Sequence, residues 1–386
     1  MRSFMRAAIQ PAGPDGKNPS AGRSSPERLL FIDGLRGIAA LAVLVYHFYY
    51  NSPYLATFDA ILPRWLGWLF GKGWMGVEIF FVISGFVIAH SLDKDRITPK
   101  YAAGFILRRS IRLDPPYWVC ILTWIGLTAL SNVLVPSRTL PYPSWPQLAS
   151  HLFYLQNVLG YGDIVPVAWS LCLELQFYTL YILCLLLFLS KRFRALRWAG
   201  VALFAATTAL SWISVVTRCF PNVVQKHWFV GTWYLFALGV FAAWAWAHPR
   251  FFRPLAALSG LLAAGLFLRW HDSIGVGVAT LLAILAAMRL GKLGTWLGGD
   301  LIQFFGRRSY SIYLVHFVVG LRGIDYAHRL LGDSPAAAFA ATLGGVAATL
   351  LFSEATYRWI ERPSLKLAKK VKPFFDAKTA PAPLGG

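Results

Sequence analysis

The sequence is short of charge. Asp, Glu, Lys and Arg make up 14% of it, where a soluble domain carries about a quarter. The shortage runs along the whole chain and excludes a separate soluble domain of substantial size. Acids are the scarcer sign: 17 Asp and Glu stand against 37 Lys and Arg. The basic residues lie between apolar runs instead of forming one patch, which is the pattern of membrane topology and not of nucleic-acid binding. Cysteine is rare. Cys120, Cys172, Cys184 and Cys219 lie in or beside apolar stretches, so a disulfide framework is not expected. No close His/Cys/carboxylate spacing suggests a zinc or other metal site. Internal and inverted repeats, the mark of many transporters, are also missing. Residues 1–27 lack an apolar core and read as a disordered cytoplasmic tail, not a cleaved signal peptide.

What is abundant is hydrophobic length. The sequence is 57% hydrophobic with a mean hydropathy of +0.53. Apolar segments lie near 31–50, 74–91, 116–135, 167–190, 198–216, 230–247, 254–268, 274–290, 309–321 and 337–356. A span takes about 20 mostly apolar residues, so the expected fold is an all-α, polytopic integral membrane protein of about ten transmembrane helices. The seventh and ninth segments are short; the ninth extends if Arg322 snorkels to the interface. With the N-terminus in the cytoplasm, inner segments hold 29 of the 37 Lys and Arg and outer loops the other eight. They include Lys94, Arg96, Lys100, Arg108, Arg109 and Arg112, then Lys191, Arg192, Arg194 and Arg197. The bias puts both termini in the cytoplasm. The expected division is a tail at 1–27, a membrane domain at 28–367 and a C-terminal cytoplasmic tail at 368–386. The outer loop 136–166, rich in Pro, Tyr and Trp, suits the membrane interface and could line an acceptor groove.

Ionisable groups inside a span are functional candidates because each costs about 2.5–3.5 kcal/mol on insertion scales. In the first segment Arg36 and His47 are eleven residues apart. At about 100° per residue they return to within about 20° of one face, and about 16 Å apart along the axis. Arg36 then sits at the cytoplasmic boundary and His47 deep, in the outer half of the bilayer. Asp33 is one turn before Arg36. This stripe suits an acyl thioester of coenzyme A, with phosphates on surface cations and a flexible arm reaching a buried base. Taken singly, Arg36 is equally a topology anchor and His47 a histidine bonded to a carbonyl. Glu78, in the outer half of the second segment, is placed to fix the His47 tautomer, or simply to be hydrated. Ser170 and Glu174 share a face of the fourth. Arg108, Arg109 and Arg112 cluster on the cytoplasmic side, where arginine suits phosphate; a topology cluster reads the same way. Tyr310, Tyr313 and His316 share a face of the ninth, with Tyr310 fitting an interface girdle and His316 in its inner third.

The same residues carry a resemblance. DGLRGIAALAVLVYHF, with Arg36 and His47 eleven apart, resembles the first helix of the membrane acyltransferase-3 family. So do GVEIFFVISGFVI at 76–88, RSIR at 109–112, WSLCLELQFY at 169–178, SYSIYLVH at 309–316 and YRWIERPSLKL at 357–367. The resemblance implies transfer of acyl groups, usually acetyl, to sugars of envelope or secreted polysaccharides, peptidoglycan or lipid-linked saccharides, at the bacterial inner membrane. The essential Arg and His of the family fall on Arg36 and His47, its Arg pair on Arg109 and Arg112, and its acidic positions on Glu78 and Glu174. The departures are GKG at 71–73, where many relatives have adjacent glycines, and Asp114, where an apolar or aromatic residue is frequent.

The expected catalytic residues are therefore His47, Glu78 and Glu174. Arg36, Arg109, Arg112, Tyr310 and His316 are expected to bind acetyl-CoA or another acyl-CoA donor. The partners expected are this donor, a glycan or lipid-linked saccharide and membrane lipid, with no nucleic acid; a homo-oligomer stays open. His47 would act as base or form an acyl-histidine relay. A transporter or flippase for a lipid-linked or anionic solute is the competing reading of the same buried charges.

Overall fold

The computed structural model describes residues 28–92, 97–134, 139–189, 194–217, 228–268 and 271–376. The expected tail at 1–27, and Lys94, Arg96, Lys191, Arg192 and Cys219, lie outside the described residues. The long helices are α1 (Leu30–Tyr50), α2 (Gly76–Ser91), α3 (Pro99–Leu134), a short α4 (Trp145–Leu152), α5 (Trp169–Phe188), α6 (Arg194–Thr217), α7 (Trp233–Ala247), α8 (Phe252–Leu268) and α9 (Asp272–Arg289). There follow α10 (Asp300–Val315), α11 (Arg322–Leu331), α12 (Pro335–Thr356) and α13 (Arg362–Asp376). No strand occurs among the described residues. Every expected apolar segment falls on a helix. Seven described helices are long and apolar enough to cross a membrane by themselves. The segments on α7, α8 and α10 are shorter or more polar. The chain is an all-α, polytopic membrane protein.

Three elements depart from the expected pattern. First, α3 begins at Pro99 and runs for 36 residues through Pro115 and Pro116, so the segment expected near 116–135 is the second half of a longer helix. Proline removes one ladder hydrogen bond and kinks a helix, but packing can hold it in place. Arg109, Arg112 and the apolar stretch after them thus stand on one helix. Second, α10 and α11 are joined through a π-helical stretch, His316–Leu321. The whole runs from Asp300 to Leu331, 32 residues and about 48 Å at 1.5 Å per residue. A second π stretch, Tyr357–Glu361, joins α12 to α13, so the start of the expected C-terminal tail is helical. Third, the loop after α3 folds inward. Trp145 and Tyr142 are exposed as an interface requires, but Tyr154, Gln156, Asn157 and Ile164 are buried. Tyr154 stacks on Tyr117 of α3 and donates to Asp114 at 3.0 Å.

Such a loop must have its backbone satisfied, and its own side chains do this. Asn132 clamps Leu140 from both sides, at 2.9 and 2.7 Å. His151 Nδ1 donates to the Gln147 carbonyl (2.8 Å) and its Nε2 accepts from the Ile164 N–H (2.9 Å). Cys120, Cys172 and Cys184 are free and buried.

The contact that positions the site is α1 against α10. The two run parallel and touch through glycines. A Cβ on Gly37 would lie 2.7 Å from the Gly306 nitrogen, and one on Gly306 would lie 2.2 Å from the Asp33 carbonyl oxygen. Small residues let membrane helices approach this closely. Ten residues on from Gly37 is His47, and ten on from Gly306 is His316. Parallel helices in that register bring the two histidines to one level.

Candidate active site

Arg36 of α1 and Arg109 and Arg112 of α3 line one narrow cavity of about 90 Å³, with Glu174 of α5 and Tyr310 and Tyr313 of α10. Each wall is held in place. Ser84 of α2 donates to Glu174 Oε1 at 2.7 Å and meets the Tyr178 hydroxyl at 2.9 Å. The Arg109 guanidinium lies 5.0 Å from the Tyr178 ring centre and 5.5 Å from that of Phe105. Tyr310 is buried and donates to the Leu113 carbonyl at 2.7 Å, which ties α10 to α3 and removes it from an interface girdle. Tyr313 donates to the Val167 carbonyl at 3.1 Å and meets Ser170 Oγ at 2.8 Å.

Behind the arginines lies Glu361, 2% exposed, at the end of the second π stretch. It accepts from Ser311 at 2.6 Å and interacts electrostatically with Arg36 and Arg112. Among the described residues, none of the three arginines has a carboxylate within 4 Å. Arg112 Nε and Ser309 Oγ are buried without a hydrogen-bond partner. Arginines with no carboxylate within 4 Å, beside orphaned polar atoms, have the chemistry that suits an anionic ligand.

Behind the lining residue Tyr313, whose ring centre lies 5.9 Å from that of His316, stand two histidines that are not part of the cavity lining. His316 Nε2 lies 3.0 Å from His47 Nδ1. The His316 Nδ1 is 3.1 Å from the Ile312 carbonyl, and the His47 Nδ1 is 3.0 Å from the Val43 carbonyl. Carbonyl oxygens only accept. In the neutral pair, Nδ1 of His316 therefore carries its hydrogen, leaving Nε2 as an acceptor. His47 Nδ1 must donate to it while also facing Val43. The lone pair of His47 is left on Nε2, a tautomer inferred from the hydrogen-bond logic. Two carbonyls and a second imidazole orient the pair.

Five of the eight expected site residues, Arg36, Arg109, Arg112, Glu174 and Tyr310, line the cavity, and His47 and His316 form a pair outside the lining, with His316 against Tyr313. One expectation of depth is corrected. His316 is not in the inner third while His47 is in the outer half; they share one level, because α10 starts well before its apolar stretch and His316 falls near the middle of the 32-residue run. Glu78 does not line the cavity. It accepts from Ser273 of α9 at 2.8 Å, because α2 turns that position toward α9. Sequence reasoning missed Glu361, Ser309 and Ser311. The available signals were the Glu inside YRWIERP and the serines flanking Tyr310. It also missed the π stretches, which often mark functional sites and here begin or end on His316 and Glu361. Among the described residues, no three His, Cys, Asp or Glu side chains gather as a metal ligand set.

Residues 29–355 match the profile of the acyltransferase domain, acyltransferase-3. The chain belongs to the acyltransferase-3 family. It is 29% identical over 359 residues to a protein of Komagataeibacter xylinus named "Putative membrane-bound transacylase BcsY", covering 86% of this chain and 82% of that one. It is 29% identical to "Acyltransferase MdmB" of Streptomyces mycarofaciens, over 92% of this chain and 96% of the other. A "Putative O-acetyltransferase" of Staphylococcus aureus is 26% identical over 87% of this chain, which spans 57% of its length. No solved structure matches. As a member of this family the chain is a membrane acyltransferase, with an acyl donor and an acceptor.

Proposed function

We propose that the protein moves an acyl group, acetyl in the first instance, from cytoplasmic acyl-coenzyme A to a hydroxyl of a glycan or lipid-linked saccharide, in envelope or exopolysaccharide modification at a bacterial inner membrane. The observation that carries this reading is the histidine pair, His47 with His316, behind Tyr313, one wall of an arginine-lined cavity. The donor phosphates engage Arg36, Arg109 and Arg112, and the narrow cavity suits a slender thioester arm better than the whole donor. The Lys/Arg bias supports entry from the cytoplasm.

His47 Nε2 takes the proton of the acceptor hydroxyl as its oxygen attacks the thioester carbonyl. The C–O bond forms, the C–S bond breaks, and the departing thiolate takes the proton from His47. Positive charge that develops on His47 is shared with His316 through the Nδ1 hydrogen. Glu174 balances the arginines beside the reacting arm. Glu78, bonded to Ser273, acts at one remove by holding α2 against α9.

The test is incubation of membranes with acetyl-coenzyme A labelled on the acetyl group, followed by location of the label. Label on a saccharide, lost with His47→Ala, is the expected result. Label that stays on the protein points to an acyl-histidine relay. Uptake of a solute with no label on any acceptor overturns the transfer reading in favour of a transporter.

A further inference from the structure

The histidine pair has a second pocket on its other side, and three helices agree on the order. Along α1 the order is Arg36, His47, Asn51; along α3 it is Arg112 then Trp124 and Ser131; along α10 and α11 it is Tyr310, His316, Arg322. The first member of each series lines the arginine cavity and the last lines the second pocket, which holds about 330 Å³. That volume is within the usual range of about 300–1,000 Å³ for small-molecule sites. The floor is Phe317, whose ring centre lies 5.2 Å from that of His47 and 6.5 Å from that of Trp124. One aromatic ring thus stands between the pocket and the base.

We infer that this pocket is the acceptor site and that it takes a saccharide, held by Arg322 and Asp325. The inference rests on the acyl-transfer reading above and names the residues that choose the acceptor. The Arg322 side chain is tied to α3. Its guanidinium lies 3.5 Å from the Trp124 ring centre and donates to the Trp124 carbonyl at 3.3 Å and to Thr128 Oγ1 at 3.1 and 3.2 Å. A cation fixed in this way presents its remaining N–H groups in one direction. Asp325 follows one turn later and supplies acceptors. Asn51 and Ser131 supply both donor and acceptor, and Trp124 and Phe317 give apolar wall. A ligand with vicinal hydroxyls on an apolar ring face needs that mixture. An aliphatic alcohol would make no use of the directed polar groups of this pocket.

The experiment measures acceptor kinetics of the solubilised full chain with labelled acetyl-coenzyme A. Three acceptors are offered: a short β-glucan oligosaccharide, an N-acetylhexosamine oligosaccharide and 1-octanol. At least one saccharide is acylated and octanol is not. Arg322→Gln and Asp325→Asn each raise the acceptor KM tenfold or more, while the donor KM stays within twofold and slow thioester hydrolysis persists. Arg322→Lys, which keeps charge but loses the fork, is intermediate and stands in if the Gln variant does not fold. Unchanged acceptor KM in folded variants, or acylation of octanol and of no saccharide, overturns the assignment. Thioester consumed with no acceptor taken overturns this inference alone. No thioester consumed by the wild type overturns the donor reading as well.

Discussion

The two ends of α1 solve different problems with the same residue type. At the Arg36 end, three arginines face a narrow cavity, have no carboxylate within 4 Å among the described residues, and include a buried Nε without a partner. At the Asn51 end, Arg322 is tied down by a ring, a carbonyl and a hydroxyl, in a pocket more than three times as large. Cations left without close counter-charges suit a ligand that brings its own negative charge. A cation already bonded suits a ligand recognised by direction and shape. The histidine pair between them belongs to neither end.

The sharpest test of that division is His47→Ala, which removes the base that serves both ends. Loss of about 10²–10⁴-fold in transfer is expected, with insertion and solubilised behaviour by gel filtration unchanged. Near-normal transfer by the folded variant would take the histidine out of the chemistry and leave Glu174 as the next base to examine. Gly306→Val comes next. Its Cβ would meet the Asp33 carbonyl oxygen at 2.2 Å, so α1 and α10 must separate and the histidines part. A fall in turnover of tenfold or more, with the donor KM little changed, is expected from rate measurements over donor concentration; wild-type rates would mean that the pair is not held by this contact.

Arg109→Gln and Arg112→Gln probe the Arg36 end alone. Each lost charge-assisted hydrogen bond costs about 1.5–3 kcal/mol, which is about 10–100-fold in donor KM with a smaller change in turnover. Equal loss in donor and acceptor KM would erase the difference between the two ends. Glu78→Gln keeps an acceptor for Ser273 and is expected to lower turnover by less than threefold. A loss as large as that of His47→Ala would return Glu78 to the catalytic set.

The smallest effect expected concerns pH at the outer loop. Burial holds His151 below the ordinary histidine value, against the Gln147 carbonyl, which acts the other way. Its neutral Nε2 accepts from the Ile164 N–H, and protonation breaks that bond. A lowered folded-state value means that the unfolded chain binds the proton more readily. The stability this contributes is complete above about pH 6.5, the unfolded value, and is lost as the pH falls through the folded value. The difference in melting temperature between wild type and His151→Gln should therefore shrink from pH 8 to pH 5. A constant difference would mean that His151 does not titrate with unfolding.

The Arg36 end was more legible in the sequence than the Asn51 end. Arg36 and His47 sit on one helix, so helical geometry alone placed them on a common stripe. Arg109 and Arg112 stood out because arginine suits phosphate and the pair falls on a family motif, although a topology cluster reads the same way. Arg322 stood in an equally apolar setting and was read as a snorkelling residue, since nothing local shows that Trp124, almost two hundred positions away, covers it. The loop after α3 was read as interfacial from its Trp and Tyr. The buried Tyr154 and His151 were hidden because their partners Asp114 and Ile164 lie across a turn of chain whose path the composition does not set.

By itself the sequence determined the membrane, the helices, the apolar and charged faces of each, and the residues in which a catalytic family shows itself, because these follow from periodicity and from the cost of charge in lipid. Only the tertiary structure decided that Gly37 meets Gly306, that His316 pairs with His47 and Ser273 with Glu78, that Glu361 interacts with the arginines, and that a second pocket opens beside Phe317. Each of these is a contact between helices, and which faces meet, at what register, is set by close packing over the whole bundle and not by any one helix.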